Sequence, residues 1–235
     1  MSLLDLVFPK RCVQCKKLGS YICSNCFAYL SFDTKSICLV CQRPVPDGLT
    51  HKSCLGKYTI DGCFSAISYN KTSKKLIYNF KYNPYLLDLR KFLSSLLYES
   101  LVQNESFNRV LQSSKTWIFV PIPLYPTKLR NRGYNQSEIL AKELSKELDF
   151  ASLGLLKRVK KTQTQVGLKL EERKKNIKGA FEINSSLIIN HSELKNAYIF
   201  LVDDIVTTGS TLLEAANTLK RQGAGKVYGI TLARD

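Results

Sequence analysis

Thirteen residues, Ile199 to Thr211, restrict the fold more than any other stretch of this 235-residue chain. Ile199-Phe200-Leu201-Val202 is an unbroken apolar run, the signature of a strand buried on both faces, as in a parallel sheet. Asp203 and Asp204 follow at its carboxyl end, where open α/β sheets place their ligands. Thr207-Thr208-Gly209-Ser210-Thr211 then supplies four hydroxyls and a glycine. The next segment puts Leu212, Ala215, Ala216 and Leu219 at helical spacing, which predicts a helix with one buried face. A turn at a helix N-terminus offers free N–H groups, hydroxyl donors and the positive end of the dipole, which together suit a phosphate. The adjacent carboxylates suit a polyol or a Mg²⁺–phosphate ligand. Thr211-x-x-Glu214 also satisfies a helix capping box, but a cap requires neither the run of hydroxyls nor two charges directly behind a buried strand.

The segment from Val202 to Thr211 resembles the phosphoribosyl pyrophosphate (PRPP) loop of type I phosphoribosyltransferases. The resemblance implies that Asp203 and Asp204 hold the ribose 2′- and 3′-hydroxyls. It also implies that Thr207, Thr208, Gly209, Ser210 and Thr211 wrap the 5′-phosphate, with Mg²⁺ accompanying PRPP.

A second strand–loop–helix unit lies upstream. Trp117-Ile118-Phe119-Val120 reads as a buried strand closed by Pro121. A loop from Leu124 to Tyr134 carries Lys128, Arg130 and Arg132, and Asn135-Gln136-Ser137 opens a helix with Ile139, Leu140, Leu144 and Leu148 on its apolar stripe. In a phosphoribosyltransferase the matching loop binds pyrophosphate, for which the bidentate guanidinium is suited. Nine Lys or Arg residues against two Glu lie between Lys157 and Lys178. That segment, extended to 157–180, reads as a mobile, basic flap; the phosphoribosyltransferase resemblance implies that Arg130 and Arg132, with Lys160, Gln165 and Arg173 of the flap, make up the pyrophosphate and flap residues. The fold class expected is α/β, a type I phosphoribosyltransferase-like parallel sheet flanked by helices. Lys74 to Leu101 reads as helical with a break at Asn83-Pro84. Tyr78, Phe80, Tyr82 and Tyr85 among its lysines suit stacking on single-stranded bases, with packing at a domain junction as the competing reading.

All eight cysteines lie between Cys12 and Cys63. Cys12-x2-Cys15 and Cys23-x2-Cys26 are two knuckles that can complete a tetrahedron around Zn²⁺. Cys38-x2-Cys41 and His51-x2-Cys54 repeat the pattern, with His51 where a fourth cysteine would stand. Knuckle pairing stays open at this level, and Cys63 reads as a core thiol. A segment of about 60 residues with few large apolar side chains needs the metal for its folding energy. Residues 1–60 are therefore expected to be a double zinc ribbon with two structural Zn²⁺, and residues 61–235 the phosphoribosyltransferase-like domain.

The formal charge of +16 points to a polyanionic partner. No secretory leader and no run near the 20 apolar residues of a membrane span are legible, so a soluble, cytoplasmic protein is expected.

Arg132-Gly133-Tyr134-Asn135-Gln136, the flap with Lys160, Thr162, Gln165, Arg173 and Asn176, Val202 through Thr211 and the zinc knuckles together resemble the ComF family. These are double-zinc-ribbon, phosphoribosyltransferase-like proteins of bacterial natural transformation. His51 departs from the family pattern. The resemblance implies a cytoplasmic protein that handles single-stranded DNA during uptake, with other DNA-uptake proteins as further partners. Whether it is an enzyme is left open, because no stretch identifies a pocket for an accepting base. The alternative is an active phosphoribosyltransferase of nucleotide salvage. A zinc-dependent regulator with a PRPP sensor is disfavoured, since no helix-turn-helix is evident.

Overall fold

The computed structural model describes residues 10–83, 86–162, 170–186 and 194–235. Two cysteine-rich loops precede the sheet, the first carrying a short helix α1 (Ser24–Phe27). Strand β1 (Gly62–Ser68) follows, then α2 (Lys71–Tyr82), α3 (Leu87–Val102) and α4 (Glu105–Leu111). Strand β2 (Ile118–Pro121) leads to α5 (Pro126–Arg132) and α6 (Gln136–Leu148). After β3 (Ala151–Ser152), β4 (Leu156–Arg158), α7 (Leu170–Ile177) and β5 (Phe181–Ile183), the chain enters β6 (Tyr198–Val206), α8 (Ser210–Arg221) and β7 (Lys226–Arg234).

Five strands form one sheet in the order β1-β7-β6-β2-β3, every pairing parallel, while β4 and β5 make a separate antiparallel hairpin. The expected α/β class with a parallel sheet is what forms. β6 explains why: Phe200 and Val202 enter one buried layer, and Ile199 and Leu201 enter the other. The first layer is aromatic, with Trp117 stacked on Phe200 at 4.1 Å and Phe119 on Phe200 at 5.6 Å. In the second, Leu212, Ala215, Ala216 and Leu219 of α8 close the opposite face, as their spacing predicts.

The topology sets the position of the site. From β2 the chain moves outward to the β3 edge, whereas β6 and β7 run the other way towards β1. The carboxyl ends of β2 and β6 are therefore a topological switch point, where the flanking loops diverge and leave a crevice.

Several sequence readings are corrected. β6 continues four residues beyond Val202, because its ladder to β7 persists through Val206 and Arg234, so Asp203 and Asp204 lie within the strand. The stretch read as a loop from Leu124 to Tyr134 contains α5, which starts with Pro126 in its first turn and ends at Gly133 in the left-handed region (φ +79°). Phe80 is not available for stacking: it is 1% exposed and belongs to the core. Tyr85, Gln165 and the Leu187 to Ile189 crossing lie outside the described residues.

The cysteine-rich segment is continuous with the rest. Val13, Ile22 and Leu30 share a buried layer with Phe64 and Ile67, and Leu39 shares the other with Ile60, Val206 and Leu212. Cys63 is buried at 2% exposure, as expected of a core thiol. Asp61 fixes the junction: its carboxylate takes the Lys220 ammonium at 2.6 Å, the Lys226 ammonium at 3.1 Å and the Val227 N–H at 2.8 Å. Among the described residues no helix is long and apolar enough to cross a membrane.

Candidate functional site

A cleft of about 470 Å³ opens at the switch point. Its floor is Asp203 and Asp204, and its walls carry Lys74, Lys81, Lys128, Arg132, Arg158 and Arg173. The cleft is thus cationic around an anionic floor. Asp204 pairs with Lys81 of α2 at 2.8 Å. Asp203 is held by the Ser137 hydroxyl at 3.1 Å and the Asp204 N–H at 2.9 Å.

The electrostatics follow from burial and crowding. Burial, then the Asp204 charge, pushes the Asp203 carboxyl up to about 7, against the opposing pull of the Asp204 N–H, Lys81 and Ser137. Burial disfavours the Lys81 charge, yet Asp204 holds it above the usual lysine range. Lys128 falls below that range, through burial first and then through the charges of Arg158, Arg132 and Lys81. Cations crowded closely enough to depress Lys128 in a partly buried cleft form a site that an anion would relieve.

Thr207, Gly209, Ser210 and Thr211 line a second, smaller recess that reaches Asp203. Gly209 sits in the left-handed region (φ +72°) and caps α8 with no side-chain hydrogen bond, so the capping-box alternative does not form. Glu214 instead accepts the Gly179 N–H at 2.7 Å, tying the flap to α8. Gly209 and Ser210 are buried and Thr207, Thr208 and Thr211 half-buried, so this N-terminal turn sits against the recess rather than in open solvent. Thr208 and Ser210 hydroxyls lie 2.9 Å apart.

The remaining sequence candidates are distributed unevenly. Arg132 lines the cleft and also donates to Gln136 Oε1 at 2.6 Å. Arg173 lines it and donates to the Thr207 hydroxyl, so one cation of the 157–180 segment reaches the loop between β6 and α8. Arg130 lies exposed on α5 and is absent from the cleft lining. Lys160 is exposed and reaches the Lys178 carbonyl at 3.3 Å. Sequence reasoning missed Lys81, Arg158 and Ser137 as site residues. Lys81 sits in a Phe-Lys-Tyr run that looks like a solvated helix face, and only the fold turns it onto Asp204.

Two four-residue clusters stand in the cysteine-rich segment, Cys12, Cys15, Cys23 and Cys26 in one and Cys38, Cys41, His51 and Cys54 in the other. Within each, all four ligand atoms lie within 4.8 Å of one another, which settles the pairing as sequential. Tetrahedral zinc with Zn–S near 2.3 Å sets ligand atoms roughly 3.5–3.8 Å apart. Cys15 Sγ to Cys23 Sγ is 3.6 Å, within that range, and Cys41 Sγ to His51 Nδ1 is 3.3 Å, a little under it, and the two four-ligand clusters are consistent with structural zinc. Burial raises the Cys12 thiol, but backbone N–H donors of Cys15, Cys23 and Gln14 outweigh it and bring it down to about 6. Cys41 is brought to about 6 by the N–H and then the side chain of Arg43. Donors of this kind orient metal thiolates and tune their basicity.

Comparison with known proteins agrees with both halves. Residues 3–55 match the double zinc ribbon domain and residues 134–235 the phosphoribosyl transferase domain. Competence protein F of Haemophilus influenzae is 37% identical over 161 residues, covering 68% of this chain and 66% of that protein. Competence protein ComFC of Streptococcus pneumoniae is 28% identical over 220 residues, 93% of this chain and 83% of its own length. The DNA utilization protein YhgH of Escherichia coli strain K12 is 35% identical over 116 residues, so the chain spans about half the length of that relative (48%).

Proposed function

The chain belongs to the ComF family, and from that premise we propose that it handles incoming single-stranded DNA in the cytoplasm during natural transformation, with its cleft binding PRPP and Mg²⁺. The single observation that supports the ligand reading best is the charge layout at the switch point. Asp203 and Asp204 form the floor, six cations and Asp235 the walls, and a side-chain-uncapped helix N-terminus lies next to them. A ribose carrying a phosphate and a pyrophosphate needs that combination: acceptors for its hydroxyls, donors for its phosphates, and a hard cation between them. In this reading Asp203 and Asp204 take the ribose hydroxyls and Thr207 to Thr211 the 5′-phosphate. Arg132 and Arg173 face the pyrophosphate, with Lys81, Lys128 and Arg158 added to the set.

The DNA part rests on the names of the relatives and on charge. Lys16, Lys17 and Lys52 are exposed on the ribbons, and the flap carries further cations. Tyr78 and Tyr82 on α2 are 61% and 56% exposed with ring centroids 4.8 Å apart, a platform for bases. Two zinc ions hold the ribbons in this reading.

The test compares labelled single-stranded and duplex DNA of equal length across a salt series. Single strand should bind more tightly, and replacing Lys16, Lys17 and Lys52 with Ala should flatten the salt slope by about three times 0.7. No binding near about 50 mM salt, or tighter duplex binding, would contradict the DNA-handling reading. Incubation with PRPP and each free base, followed for pyrophosphate release, addresses the salvage alternative. Turnover with one base would favour it.

A further inference from the structure

The second ribbon touches the phosphate loop. Cys38 to Cys41 form a knuckle whose turn closes through the Gln42 N–H onto the Cys38 carbonyl at 2.8 Å. Leu39, at the tip of that knuckle, is 1% exposed and packs against Gly209: a Cβ built on Gly209 would meet Leu39 Cδ2 at 2.8 Å. Gln42 then extends its side-chain amide to the Thr208 carbonyl at 3.1 Å and the Leu39 carbonyl at 2.6 Å. Gly209 is therefore a glycine for two reasons, its positive φ and the leucine pressed against it.

The first ribbon shows what the knuckle alone demands. There the residue after the second cysteine is Lys16, with φ +68° and its N–H on the Cys12 carbonyl at 2.8 Å. Gln42 holds the same place with φ +61°. Glycine is the residue best fitted to that backbone, so the turn does not account for a glutamine side chain. The contact with Thr208 does.

We propose that the second ribbon is the rear wall of the phosphate loop, with Gln42 as its positioning residue. Metal at Cys38, Cys41, His51 and Cys54 and a ribose 5′-phosphate at Thr207 to Thr211 then stabilise each other. The ligand half of this statement rests on the PRPP reading above. Metal fixes the knuckle, the knuckle fixes the Thr208 carbonyl and the Gly209 turn, and that turn sets where the loop N–H groups point. Coupling between two ligands is reciprocal, so PRPP should tighten the hold on the second metal by the factor that the metal tightens PRPP.

Gln42→Gly is the variant of choice, because it removes the amide while easing the backbone, and the thermal midpoint should not fall. Calorimetric titration with PRPP and Mg²⁺ should show about three- to tenfold weaker binding, the scale of one net hydrogen bond. Peptide-resolved alkylation of the zinc-loaded protein, with a zinc-selective chelator present, reads the reverse direction. PRPP–Mg²⁺ should slow labelling of Cys38, Cys41 and Cys54, leave Cys12, Cys15, Cys23 and Cys26 unchanged, and lose its effect in Gln42→Gly. Amide exchange of residues 207–212 in the ligand-free protein should quicken in the same variant. Wild-type binding of PRPP with Gln42→Gly equal to it, or equal protection of both ribbons, overturns the coupling alone. If wild type does not bind PRPP the ligand reading fails, and unchanged amide exchange in Gln42→Gly would then overturn the rear-wall assignment as well.

Discussion

Asp203 gives the cleft a pH dependence that burial sets. Its carboxyl titrates near 7 in the folded chain and near 3.8 when unfolded. The folded state therefore holds the extra proton between those values, and stability falls as pH rises from about 4 through about 7. Ligand binding should move the other way, since the ionised carboxylate accepts ribose hydroxyls. PRPP affinity measured by calorimetry should rise between about pH 6 and 8, and a flat profile would refute the assignment. Asp203→Asn keeps an oxygen for Ser137 and Asp204 N–H and removes the buried charge. It should gain about 1–3 kcal/mol at pH 8 in urea unfolding while losing PRPP, a trade expected of a binding residue. A destabilised Asn variant would mean that the carboxylate is structural. At this scale the sequence exposes the acidic pair because it stands directly behind a buried run. Lys81 and Arg158 stay hidden among solvated charges, since only the packing of α2 and the β4–β5 hairpin aims them inwards.

Among elements, legibility follows burial. β2 and β6 are covered on both faces and show as continuous apolar runs, and α6 and α8 show as stripes with Leu140, Leu144, Leu212 and Leu219 buried. α5 escapes because none of its residues is buried, and its ends alone define it: Pro126 at the start and Gly133 after it. The end of β6 is misjudged because two aspartates look like a strand terminus, whereas the neighbouring β7 keeps pairing through Arg234. Asp61 is another element-scale feature that sequence conceals. It joins β7, α8 and the start of β1, and its Lys220 partner is only 6% exposed. Asp61→Ala leaves that ammonium buried without its carboxylate and should cost about 3–5 kcal/mol, read as a lower denaturant midpoint with unchanged slope. Adding Lys220→Met should recover most of the loss. If the double variant is no better than the single one, the backbone contact to Val227 and not the ion pair dominates.

At the scale of the whole molecule, the ribbons and the sheet share their buried layers, so the metal sites and the cleft belong to one packed body. Zinc analysis of freshly purified protein should give two ions per chain, and chelation should lower the unfolding temperature of the sheet as well as of the ribbons. One ion per chain would place the discrepancy at the His51 site. The general basicity (+16) is concentrated in function by the cleft, where cations are gathered about two carboxylates at the switch point of the sheet. That arrangement is the central claim, and it is tested most directly by isothermal titration of PRPP into wild type and into the Asp203→Ala, Asp204→Ala double variant, each with and without Mg²⁺. The account predicts saturable binding by wild type only when Mg²⁺ is present, and none by the double variant even though its unfolding transition stays cooperative. Equal affinity in the two proteins would contradict it.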